Sequence, residues 1–251
     1  MKSRITLIQR NIEWLNIDDN LKQIEAMLEG VTTDIVVLSE MFQTGFATKP
    51  CDAVDDRRTL CWMLKMAKKL DAAIVGSCAV KVAEEYRNRM YFVKPTGEIE
   101  YYDKWHLFSV GGECKSYTRG SERKVVEWRG VRYLLAICYD LRFPVWSRQR
   151  GDYDAMIYVA AWPTPRREVW KTLLRARAIE NQAYVIGVNR IGDEPTLNYS
   201  GDSAAINYYG ESICECNNAE CMVQAEIDIE KLNLFRDKFN VSVDADNFRL
   251  V

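Results

Sequence analysis

Short runs of unbroken apolar residues alternate along this chain with segments whose apolar residues recur at helical spacing. No other feature constrains the fold as tightly. Ile5–Gln9 reads as a first strand, after which Ile17, Leu21, Ile24 and Leu28 mark one helix face that stops at Gly30. Ile35–Leu38 is a continuously apolar strand ending at Ser39-Glu40. Leu60, Leu64 and Ala67 share a second helix face, followed by a strand over Ala72–Val80. Arg89–Val93 and Ile99–Asp103 flank Pro95-Thr96-Gly97, and Val125–Trp128 and Val131–Ile137 flank Arg129-Gly130, so both pairs read as hairpins. Trp105–Gly120 reads as a loop. Pro144 opens a helix running to about Arg150, Arg167–Asn181 forms a longer helix, and Ala155–Ala160 and Ala183–Arg190 are buried strands. Apolar strands with helices between them mean an α/β fold whose sheets are covered by helices.

The 251 residues show no repeat and no linker that would split them, so a single domain is expected. Lys and Arg total 34 against 36 Asp and Glu, a formal charge of −2, which supplies no drive towards nucleic acid or acidic membranes. Apolar runs such as Ala155–Trp162 are too short to span a bilayer. The first residues, broken by Arg4, Gln9, Arg10 and Asn11, lack the apolar stretch of a secretion signal. Eight cysteines are scattered (Cys51, Cys61, Cys78, Cys114, Cys138, Cys214, Cys216, Cys221) and read as thiols of a cytoplasmic protein. Cys214, Cys216 and Cys221 stand close together, but a structural zinc site wants four ligands and no fourth is near. Arg166, Arg167, Lys171, Arg175 and Arg177 make one helix basic, which at this net charge reads as a solvated or substrate-edge face.

The chain has one histidine, His106. A helical His-Glu-x-x-His zinc site is therefore impossible, no Gly-x-Ser-x-Gly elbow exists for a serine triad, and no phosphate-binding glycine loop occurs. A hydrolase built from this chain would use a base other than histidine. Three polar residues occupy strand ends, where α/β sheets gather their chemistry: Glu40, Lys104 and Cys138. A carboxylate abutting an apolar strand can serve as a general base. An ammonium can stabilise an oxyanion. A thiol at a strand–helix turn can act as a nucleophile when a base or cation assists it. Each residue alone also fits a bland role, as a solvated strand end, a surface lysine and a small buried hydrophobe.

The segments LSEMFQTGF, YDKWHLF and AICYDLRFPVW resemble the Glu, Lys and Cys motifs of the nitrilase (carbon–nitrogen hydrolase) superfamily. Their order fits, with 64 residues from Glu40 to Lys104 and 34 from Lys104 to Cys138. The resemblance continues through AAWPTPRREVW, LLRARAIENQAYVIGVNRIG and YSGDSAAINYYGE to DADNFRL, and is closest to the bacterial omega-amidase branch. It implies a four-layer α-β-β-α sandwich, a single domain over residues 1–251, a homodimer, and amide hydrolysis without metal or cofactor. It also implies roles: Cys138 as nucleophile, Glu40 as general base and Lys104 as oxyanion stabiliser. Glu113 in GGECKSYTRG would support Lys104, and the Tyr139 N–H would be a second oxyanion donor. Trp105 stands where family members often carry a smaller or charged residue.

The branch hydrolyses terminal amides of 2-oxo acids, whose far carboxylate needs a cation. Arg142, four residues after Cys138, can grip it bidentately, with Phe46 and Trp162 as aromatic walls. Alternatively Arg142 pairs with Asp140 to hold the turn. The competing functions are another amidase of the superfamily, such as one acting on N-carbamoyl compounds, and a catalytically silent thiol-based binding or redox-sensing protein.

Overall fold

The inner faces of two six-stranded sheets meet along the middle of the molecule. In this computed structural model, which describes residues 1–50, 53–54, 57–194, 197–246 and 248, both sheets carry helices on their outer faces. The first sheet runs β14-β1-β2-β3-β4-β5, from β1 (Lys2–Gln9), β2 (Ile35–Val37), β3 (Ala73–Val82), β4 (Glu85–Val93), β5 (Ile99–Asp103) and β14 (Cys221–Asp228). The second runs β13-β12-β9-β8-β7-β6, from β6 (Val125–Trp128), β7 (Val131–Ile137), β8 (Ala155–Ala160), β9 (Tyr184–Asn189), β12 (Ala204–Ile206) and β13 (Ser212–Glu215). The central strands of each sheet, β1-β2-β3 and β7-β8-β9, are parallel. A small ribbon pairs β10 (Ile191–Asp193) with β11 (Asn198–Ser200).

The period of two along each strand sorts its side chains between layers. In the first sheet, Ile35, Val37, Ala73 and Val75 face the inter-sheet core, while Val36, Leu38 and Ile74 face the helices. There α1 (Ile17–Met27) and α2 (Arg58–Leu70) seal them with Leu21, Ile24, Leu28, Trp62, Met63 and Met66. On the far side α4 (Arg167–Asn181) lies against β9. Gly187 permits the approach, because a Cβ there would stand 2.6 Å from Leu174 and 2.9 Å from the Trp170 ring. Trp170 and Leu174 are thus buried in the core of this chain.

The helix expected from Pro144 to about Arg150 is shorter. α3 covers only Pro144–Ser147, because Arg148 turns extended and the Gln149 N–H bonds Asn181 Oδ1 of α4 at 2.9 Å instead of its own helix. The loop Trp105–Gly120 contains two short 3₁₀ turns, Ser109–Gly111 and Glu113–Lys115. β4 begins at Glu85, earlier than the pattern suggests, and pairs with β3 over its whole length. The last helix, α5 (Ile229–Lys238), follows β14. Cys51 and part of the DADNFRL segment lie outside the described residues. Among the described residues no helix is long and apolar enough to cross a membrane.

Candidate active site

Cys138 immediately follows β7, Lys104 immediately follows β5, and Glu40 lies three residues beyond β2. Their segments turn sharply. Cys138 adopts φ +46° and Met41, next to Glu40, φ +45°. Left-handed backbone is costly for residues with a Cβ, and in a packed fold it is sustained where a side chain must be aimed. After Cys138 the chain enters a 3₁₀ turn, Cys138–Arg142, which Asp140 holds in place. Its carboxylate accepts from the Ile137 N–H at 2.9 Å, the Tyr102 hydroxyl at 2.8 Å and the His106 N–H at 3.0 Å, with His106 Nδ1 at 2.8 Å. The single histidine is therefore a strut, stacked on Phe143 at 3.8 Å between ring centroids. Trp105 stacks on Trp146 at 4.7 Å and does not line the site cavity.

Three charged groups and one amide meet in the buried end of the site. Lys104 Nζ donates to Glu40 Oε1 at 2.8 Å and stands 3.0 Å from Glu113 Oε2. Asn88 on β4 donates to Glu40 Oε1 at 2.8 Å and to Glu113 Oε1 at 3.1 Å. Glu40 Oε2 accepts from the Ala161 N–H at 2.9 Å, which joins the loop after β2 to the end of β8 in the other sheet. Glu113 Oε2 accepts from the Phe108 N–H at 2.6 Å. The side chains of Glu40, Asn88, Lys104 and Glu113 are essentially inaccessible to solvent. A buried cation between two carboxylates is tolerable only because every partner is hydrogen-bonded. An ammonium has three donors; with two directed at Glu40 and Glu113, one is left for the cavity that Lys104 lines.

Burial opposes the charge on Lys104, but the carboxylates of Glu113 and Glu40 outweigh it and raise its pKa, so Lys104 stays an ammonium. Burial raises the Glu113 carboxyl, with Lys104 opposing. Burial, and then the Glu40 charge, push the Cys138 thiol well above its ordinary range, while the Lys104 charge opposes them. No thiolate is preformed at neutral pH. A thiol in that state can attack a carbonyl only if a base takes its proton, and the Glu40 carboxylate lines the same cavity.

These groups open onto a cavity of about 220 Å³, whose walls include Phe46, Tyr139, Trp162 and Tyr199. Arg142 also lines it, with its guanidinium 5.1 Å from the Trp162 ring centroid. Asp140 is committed elsewhere, and among the described residues Arg142 has no carboxylate partner. All eight residues expected at the site from the sequence lie together here. Asn88 belongs to none of the motifs; its only sequence signal is a lone amide within the charged stretch before an apolar run. The basic helix resolves into separate tasks. Arg167 pairs with Asp202 at 2.7 Å, Arg175 with Glu215 at 2.9 Å, and Arg177 is buried against Glu180 and the Leu141 carbonyl. Among the described residues no cluster of three or more metal-ligating side chains forms around Cys214, Cys216 and Cys221.

Two packed sheets with a buried Cys, Glu and Lys at their strand ends define a carbon–nitrogen hydrolase. The carbon-nitrogen hydrolase family profile matches residues 4–237, and the chain belongs to that family. It is 43% identical to the omega-amidase YafV of Yersinia enterocolitica, over 99% of this chain and 98% of that one. It is 36% identical to the 2-oxoglutaramate amidase of Bacillus subtilis (strain 168), over 96% of both chains. Its fold superposes on XC1258 from Xanthomonas campestris, a CN-hydrolase superfamily protein, with TM-score 0.97, 40% identity and full coverage of both chains.

Proposed function

We propose that this protein is an omega-amidase, hydrolysing the terminal amide of 2-oxo acids such as 2-oxoglutaramate and 2-oxosuccinamate to the 2-oxo dicarboxylate and ammonia. The observation that carries this reading is one cavity holding both a Glu40–Lys104–Cys138 cluster and an arginine, Arg142, with no carboxylate partner among the described residues. The first suits an amide carbonyl. The second suits a carboxylate several bonds away.

In this mechanism Cys138 Sγ attacks the amide carbon as Glu40 takes the thiol proton. The carbonyl oxygen gains the negative charge and is held by the remaining Lys104 donor and the Tyr139 N–H. Collapse of the adduct breaks the C–N bond, and Glu40 returns its proton to the departing nitrogen. The product left on the protein is a thioester. Glu40 then deprotonates a water that attacks the thioester carbon, and the second adduct expels Cys138 sulfur, which recovers the proton. Glu113 and Asn88 keep Lys104 and Glu40 in register through both halves. The substrate is a small amide, and the single domain spans residues 1–251.

The reading extends to a homodimer in the cytoplasm. Ile179 of α4, Tyr209, and Phe239 beyond α5 are more than half exposed, and Phe235 links the two aromatics with ring centroids 4.6 and 6.3 Å away. Such a contiguous apolar patch suits a second subunit, and the free thiols suit a reducing compartment. Sedimentation at micromolar concentration is expected to report a dimer. The activity is tested by ammonia release from 2-oxosuccinamate, 2-oxoglutaramate, N-carbamoyl amines and neutral aliphatic amides. Turnover led by the 2-oxo acid amides supports the reading, and turnover led by carbamoyl compounds overturns it.

A further inference from the structure

Arg166 ends the 3₁₀ turn Thr164–Arg166 that precedes α4, and its side chain lines the same cavity as Cys138 and Arg142. Its guanidinium stands 5.2 Å from the Phe108 ring centroid. Trp162 joins the two arginines mechanically. Its ring lies beneath Arg142, and its indole N–H donates to the Arg166 carbonyl at 2.8 Å. The neighbouring arginines Arg167, Arg175 and Arg177 each have a carboxylate, whereas among the described residues Arg142 and Arg166 have none. Two arginines that line one small cavity, neither paired with a carboxylate among the described residues, present positive charge that an anionic ligand can balance. Lys104 cannot share the task, because Glu40 and Glu113 already hold it.

We propose that Arg166 is a specificity-determining residue, which grips the 2-oxo acid end of the substrate together with Arg142 and turns away the corresponding 2-amino acid amides. The proposal rests on the omega-amidase reading and adds to it a second cation and a basis for rejection. A 2-oxo acid head offers a carboxylate and an adjacent carbonyl oxygen, all acceptors, in a roughly planar array that two guanidinium forks can share. L-Glutamine has the same length and the same terminal amide but carries an ammonium in place of the carbonyl. That ammonium offers only donors and a positive charge to a wall with two positive charges already. The aromatic faces of Trp162 and Phe108 hold the two planar groups at the cavity wall, so neither fork must be ordered from solvent when substrate binds.

The test compares kcat/KM for 2-oxoglutaramate, L-glutamine and pentanamide in the wild type, Arg166→Gln and Arg166→Lys. In Arg166→Gln the preference for 2-oxoglutaramate over pentanamide is expected to fall about 10- to 150-fold, the range of one charge-assisted contact, mainly through KM. The preference over L-glutamine is expected to fall as well, because repulsion of its ammonium is relieved. Arg166→Lys restores charge without the fork and is expected to recover part of both preferences. Equal loss on all three substrates, or unchanged ratios, overturns the role of Arg166 and leaves the omega-amidase reading standing. A wild type that prefers pentanamide to 2-oxoglutaramate overturns that reading itself, and the present proposal with it.

Discussion

Asn88 of β4 and Glu40 of the loop after β2 come from well-separated parts of the chain, and their side chains meet at 2.8 Å with neither exposed to solvent. The same amide reaches Glu113 at 3.1 Å, so one uncharged residue links both carboxylates that surround Lys104. Asn88→Ala leaves two buried carboxylates each short of a donor. Each lost bond to a charged group is worth about 1.5–3 kcal/mol, so kcat is expected to fall at least about 10-fold with KM little changed. Asn88→Asp adds a third buried carboxylate and is expected to be worse. Steady-state kinetics on a 2-oxo acid amide decide it, and an unchanged kcat in Asn88→Ala removes Asn88 from the positioning of Glu40.

Cys138 is buried, lines the site cavity with Glu40 and is set at a left-handed turn, whereas Cys114 is exposed. Cys138→Ala and Cys138→Ser are expected to abolish ammonia release while thermal unfolding stays close to wild type. Cys114→Ala is expected to retain turnover. Equal loss in the Cys114 variant would sink the assignment of the nucleophile.

Lys104→Ala has two consequences that separate in measurement. Loss of an oxyanion donor costs about 2.7–4 kcal/mol of transition-state stabilisation, read as a drop in kcat. Loss of the only cation contacting Glu40 and Glu113 among the described residues leaves them uncompensated, at a cost of about 3–5 kcal/mol in urea unfolding. A variant that loses activity but no stability would show that the ion cluster does not hold the site together.

Arg142→Ala addresses the carboxylate end of the substrate. The preference for 2-oxosuccinamate over a neutral amide of similar length is expected to fall about 10- to 150-fold. Proportional loss on both amides would mean that Arg142 holds the turn after Cys138 and does not meet substrate.

Asp154 provides a test by pH away from the site. Burial by itself raises its carboxyl, but hydrogen bonds and charge from Arg132, with Arg236 beside it, hold it below the ordinary 3.8. As pH falls, the unfolded chain takes up this proton before the folded protein does. The stabilisation is therefore complete above about pH 4 and is lost as pH falls through the lower folded value. Asp154→Asn is expected to be less stable than wild type at neutral pH, with the difference shrinking as the urea titration moves to about pH 3. A difference that stays constant with pH would refute the depressed carboxyl.

Local properties of the chain were enough to mark the inner strands, the helices α1, α2 and α4, and the three strand ends that carry Glu40, Lys104 and Cys138. Continuous apolar runs, helical spacing and a polar residue at the end of each run are all readable within a few positions, because they reflect how one element is buried. The helix after Pro144 is shorter than its local pattern predicts for the same reason: Asn181 on α4, more than thirty residues away, takes the Gln149 N–H. β12, β13 and α5 give little local signal, because β12 is a buried run of only three residues and apolar residues of β13 and α5 are exposed.

The sequence alone determined which residues can do chemistry and that they stand at the ends of strands. Only the tertiary structure decided what surrounds them. Asn88 between two carboxylates, Asp140 consumed by His106 and Tyr102, and Arg142 and Arg166 left facing one cavity all join segments far apart in the chain. Such contacts carry no periodic signal, because a polar group acquires its partner only when sheet packing has removed water from around it.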